Sequence, residues 1–137
     1  MSECEIKWVH VPVFSAHVAF ACGDPDAVER AVRREVKRHP REYPGVEFGG
    51  LTSVIRRPTR CGELSYSAIS MSLKNTVVIW SREPVDLPSV AHECVHAARH
   101  VLRWIESDDE EVESYLVEFL LREYLRQPLR PVRRASA

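Results

Sequence analysis

His92, Glu93 and His96 form an H-E-x-x-H pattern with Cys94 and Val95 between them. Residues four apart on an α-helix share one face about a turn apart, so both imidazoles can reach a single cation. Two imidazoles suit zinc, and a carboxylate would complete a set that suits it well. Glu93 projects about 100° from His92 around the helix, beside the open position of such an ion rather than at it. There it can take a proton from water activated at the metal and deliver it to a leaving amine. The chemistry this spacing serves is hydrolysis of a peptide bond.

The pattern must sit on a helix, and the sequence predicts one over Ser89 to Ile105. Ala91, Val95, Ala98, Leu102 and Ile105 form its expected core stripe, which puts the His pair at the border between core and cleft. A catalytic zinc usually has three protein ligands and one water. The longer pattern H-E-x-x-H-x-x-G-x-x-H is excluded, because position 99 is Arg and position 102 is Leu. His100 lies about 12 Å along the axis from His92, too far to share its ion, and reads as a helix-end histidine near the negative dipole. A carboxylate from the next helix is the remaining route. That helix starts at Ser107-Asp108-Asp109 and runs to about Arg126. Two of its residues compete. Glu113 sits among Val112, Leu116, Val117 and Leu120, where an unpaired carboxylate is costly, so burial selects it as the inward ligand. Glu111, Ser114, Glu118 and Arg122 form a polar stripe that would suit a cleft lining.

The strand NTVVIW, the helix LPSVAHECVHAARHVL and the acidic helix DDEEVESYLVEFLL together resemble the zincin metallopeptidases of the gluzincin type. The nearest likeness is to the small single-domain H-E-x-x-H proteins of phages and other mobile elements. The resemblance covers about Thr76 to Leu125. It implies a zinc ion held by His92, His96 and Glu111, with Glu93 as the catalytic base. In such families the third ligand is followed three residues later by a small residue, usually Ala, and here that position is Ser114. Tyr115 would donate to the developing oxyanion, as tyrosines do in similar sites, or pack as an ordinary aromatic. The resemblance also implies that Asn75 to Trp80 is an edge strand on which an extended peptide or protein substrate pairs.

The remaining chain supplies a frame. Ile6 to Phe14 and Ala16 to Cys22 read as strands, with Pro12 a break or edge position. Asp24-Pro25-Asp26 starts a helix whose apolar stripe is Ala27, Val28, Ala31, Val32 and Val36, ended by His39-Pro40. Tyr43 to Gly50 reads as a loop, Leu51 to Ile55 and Leu64 to Leu73 as short strands, and Asn75 to Trp80 as a clear strand. The expected fold is α+β: a small twisted, mostly antiparallel sheet with an N-terminal helix and a C-terminal helix pair carrying the metal site. Residues 1–126 would form one zincin-like domain and residues 127–137 a basic flexible tail.

Composition limits the alternatives. The 137 residues are 45% hydrophobic and 28% charged with a net charge of -1, as expected of one globular domain. The apolar run from Val9 to Cys22 is interrupted by His10, Pro12 and His17, so it is no membrane span. The N-terminus places two acids before its first Lys, the reverse of a secretory signal, so a cytoplasmic protein is expected, in the host cell if phage-encoded. Cys4, Cys22, Cys61 and Cys94 contain no C-x-x-C pair and read as buried thiols, with Cys94 turned away from the His pair. Arg30 to Arg60 holds nine Lys/Arg against three acids, and the tail adds Arg126, Arg130, Arg133 and Arg134. Nucleic-acid contact is the minor reading of these charges, since no aromatic interleaving or known binding motif accompanies them. A catalytically silent zincin-fold binding protein, serving host interference or assembly, is the competing reading of the whole.

Overall fold

Period-two burial along the first strand, beside a second strand buried at every position, sets the sheet. In the computed structural model, which describes residues 5–12, 14–43, 68–82 and 87–133, β1 (Ile6–Val11) pairs antiparallel with β2 (Ala16–Cys22). Pro12 follows directly on β1, as a residue without an N–H should. Val9, Val11, Ala16, Val18 and Phe20 point to one face, and Ala19 and Ala21 to the other. The part of the expected loop over 44–50, the strand Leu51 to Ile55, the first residues of Leu64 to Leu73, the basic residues Arg56, Arg57 and Arg60, Cys4, Cys61 and Arg134 lie outside the described residues.

Helix α1 (Pro25–Arg38) forms where the sequence places it. Asp24 caps it by accepting from the Ala27 backbone N–H at 3.0 Å, and Pro25 stands at the first helical position. Its buried Val28 and Val32 pack with Ala19, Ala21, Val78 and Trp80 on one face of the sheet. The chain returns as β3 (Ala68–Leu73) and β4 (Thr76–Ser81), giving the order β1-β2-β4-β3. Two antiparallel pairings flank one parallel pairing, β2 with β4. Helices α2 (Leu87–Trp104) and α3 (Glu110–Leu125) cover the other face, packing on Val18, Phe20, Val77 and Ile79. The result is the expected α+β class, with α1, sheet and helix pair as three layers.

Two expectations need correction. The strand expected to offer a free edge is interior: β4 bonds to β2 on one side and β3 on the other, and the edges are β1 and β3. All six residues of β4 are buried, the pattern of a strand covered on both faces, and the uninterrupted apolar run VVIW already carried that signal. The expected flexible tail is anchored as far as Arg133. Val132 is buried, donates to the Cys22 carbonyl at 2.7 Å and accepts from the Asp24 N–H at 2.8 Å, forming a parallel bridge with Gly23.

The end of α3 is tied to the sheet by a buried lysine. Lys7 donates to the carbonyls of Glu123, Tyr124 and Gln127 at 2.9, 2.6 and 2.5 Å, so a cation closes the carbonyl-rich helix end. Lys7→Met should fit the space and orphan those carbonyls. Charge-assisted bonds contribute about 1.5–3 kcal/mol each at most, and partial rehydration of the helix end leaves an expected loss of about 2 kcal/mol. A urea titration would show this as a lower midpoint with unchanged slope.

Candidate metal centre

Small residues bring α2 close to the sheet and thereby decide which way its histidines face. The fully buried line is Val90, Cys94, Ala97, Ala98 and Val101, with Leu102 at its flank. The expected stripe was displaced: Ala98 and Leu102 belong to the core, whereas Ala91 and Val95 are only half-buried. Cys94 and the alanine pair allow closer approach than a stripe through Val95 would, and Val95 turns instead toward α3. His92 and His96 are consequently exposed on the side away from the sheet, while Glu93 is buried at 8% exposure.

The two imidazoles converge. Their Nε2 atoms are 3.1 Å apart, with ring centroids at 4.8 Å and planes at 76°. Two nitrogens bound at about 2.0–2.1 Å to one tetrahedral zinc stand roughly 3.3 Å apart, so this separation fits a shared cation closely. Without a cation, the same separation allows one ring to donate a hydrogen bond to the other. Cys94 takes no part: burial, and then the neighbouring Glu93, push its thiol up to about 12, so it stays neutral and packs in the core.

Helix α3 brings neither competing glutamate to the His pair. Glu113, the inward choice on burial grounds, has a partner of its own: Arg99 Nε donates to its Oε1 at 2.9 Å. That pair also marks the register of α3 as it folds back on α2. Counting away from Arg99 and Glu113 in opposite directions puts Glu111 level with Val101, and Glu118 level with Cys94 at the middle of the His pair. Glu111 therefore stands seven residues, about 10 Å along the axis, from the middle of the pair. Glu118 is ion-paired with Arg122. Among the described residues, no group of three His, Cys, Asp or Glu side chains comes together.

Tyr115 is 64% exposed and is not among the α3 residues that line the groove toward α2. Ser114 donates to the Glu110 carbonyl at 3.0 Å, an ordinary helical back-bond. His100 binds the carbonyl of Lys74 in the β3–β4 turn, which anchors α2 to the sheet. The groove between α2 and α3 is lined by Val95, Val117 and Leu121 with Glu110, Glu113 and Glu118 at its margins. The basic stretches do meet, since Arg30 and Arg34 of α1 share a cleft with Arg133. Glu5, Asp26 and Glu29 line that cleft too, so its charge is mixed. Among the described residues, no helix is long and apolar enough to cross a membrane. No family model, curated protein or solved structure matches the chain.

Proposed function

We propose that this chain is a zinc-dependent hydrolase of peptide bonds, with a peptide or protein as substrate. The observation that carries the reading is the convergence of His92 and His96 through Nε2 atoms 3.1 Å apart, on a helix that places Glu93 between them in sequence. Two of the donors a zinc site needs are in place: imidazole nitrogens of correct spacing on one rigid helix. Zinc bound there supplies Lewis acidity toward a carbonyl and lowers the pKa of water to near 7. His92 and His96 hold and orient the ion. Glu93, buried at the flank of the pair, accepts the proton released from the attacking water and returns it to the departing amine.

Zinc titration of metal-free protein tests this reading directly. About one ion per chain is expected, and His92→Ala or His96→Ala should weaken binding about a thousandfold or more, beyond the 10–100-fold typical of merely supporting residues. Unchanged affinity in both variants would overturn the proposal. The third position is read separately. Tenfold weaker binding in Glu111→Gln assigns it to Glu111, as the resemblance implies; unchanged binding removes Glu111 from the set.

A further inference from the structure

Beside β1 and β2, away from His92 and His96, opens a cavity of about 640 Å³. Its size lies within the range of small-molecule sites, about 300–1,000 Å³. Trp8 of β1, buried Tyr43 and Trp104 at the end of α2 line it from three separate elements. The Tyr43 ring packs on Trp8 with centroids 5.3 Å apart and on His17 at 4.6 Å. Trp104 borders this cavity and remains 46% exposed, so its ring is accessible to a ligand there.

The charge of the cavity is as selective as its rings. Glu35 and Glu42 line it against the single guanidinium of Arg41, an excess of one negative charge among the described lining residues. Among the described residues, half-exposed His39 lies 3.3 and 4.0 Å from these carboxylates, a partner only when protonated, and His10 also lines the cavity. His17 does not offset that charge, because burial and then neighbouring His10 hold its pKa below the usual histidine value. The same environment pushes the Tyr43 hydroxyl up to about 12, through burial first and then Glu35 and Glu42. An anion entering here would meet carboxylates and the negative faces of aromatic rings. A cation would be attracted by both.

We propose that this cavity binds a quaternary alkylammonium group, with Trp8, Tyr43 and Trp104 as its aromatic walls and Glu35 and Glu42 as its counter-charge. Such a group is large and weakly hydrated, so it loses little on leaving water and gains from each ring face it covers. The site is independent of the metal reading, because no residue is shared. The cation could be a free small amine or a methylated lysine of another protein, and the probes must separate these sources.

Binding of choline, of its neutral isostere 3,3-dimethylbutan-1-ol, and of a short peptide containing trimethyllysine would be followed by indole N–H NMR shifts of the full chain. Choline should shift the Trp8 and Trp104 signals and spare Trp80, whose indole donates to the Gly23 carbonyl at 3.0 Å inside the core. The isostere should bind at least tenfold more weakly than choline. Trp104→Ala and Glu35→Gln, both at the surface, should each weaken choline at least fivefold while leaving zinc binding unchanged. Tighter peptide than choline binding assigns the cation to a protein side chain, and the reverse assigns it to a free amine; both uphold the site. Equal binding of choline and the isostere, or shifts that miss both Trp8 and Trp104, would overturn it.

Discussion

Glu93→Gln should retain zinc and lose about a thousandfold in peptide hydrolysis, within the 10²–10⁴ that a positioned proton-transfer group contributes. The replacement preserves shape and hydrogen-bonding reach but removes the ability to take a proton. The two imidazoles are untouched, and a helix position buried to 8% exposure accommodates an isosteric amide. Metal content and melting temperature should therefore match the parent protein while turnover collapses. This combination separates base catalysis from metal loss and from misfolding, each of which would move a second measurement. Parent-like activity in Glu93→Gln would defeat the mechanism. Zinc at one ion per chain with no turnover by the parent on a broad peptide library would instead leave a zinc-binding protein without catalysis, the competing expectation from sequence.

The parts of this molecule legible in the sequence are those governed by local periodicity. Asp24 and Asp109 each cap the helix they were expected to start, since a cap depends only on its next three residues. The α+β class followed from the order of strand and helix patterns. The paired approach of His92 and His96 also follows from helical spacing alone. What could not be read depended on partners distant in the chain. The face of α2 was misjudged because two apolar stripes were available, and the sheet selected the one with smaller residues, Cys94, Ala97 and Ala98. The position of Glu111 relative to the histidines depends on how α3 is set against α2 by their shared core, a register marked by the long-range pair Arg99–Glu113. The edge role of β4 depended on two other strands. The aromatic cavity was invisible for the same reason: Trp8, Tyr43 and Trp104 belong to three segments that only the folded chain assembles.

Gly23→Ala should be among the most damaging single changes in the described structure, lowering stability by about 3 kcal/mol. Gly23 has φ of +116°, a backbone conformation that an L-residue adopts only at a cost of about 1–3 kcal/mol. A Cβ there would also lie 2.3 Å from the Val132 carbonyl oxygen and 2.5 Å from its nitrogen, atoms of backbone that cannot rotate away. Relief requires the C-terminal segment to withdraw, and withdrawal breaks the Val132–Cys22 and Asp24–Val132 hydrogen bonds and exposes buried Val132. Each such bond contributes about 1 kcal/mol net. Thermal melts should place the variant roughly 10 °C below the parent for a domain of this size. Removing residues 130–137 separates the two causes, because the shortened chain has no Val132 to strike. Truncation alone should cost stability, since it removes the bridge and the ion pair between Arg130 and Glu5. In that background Gly23→Ala should cost only the conformational strain, about half its effect in the full chain. An equal cost in both backgrounds would show that the strain of the left-handed conformation, and not the docked segment, requires the glycine.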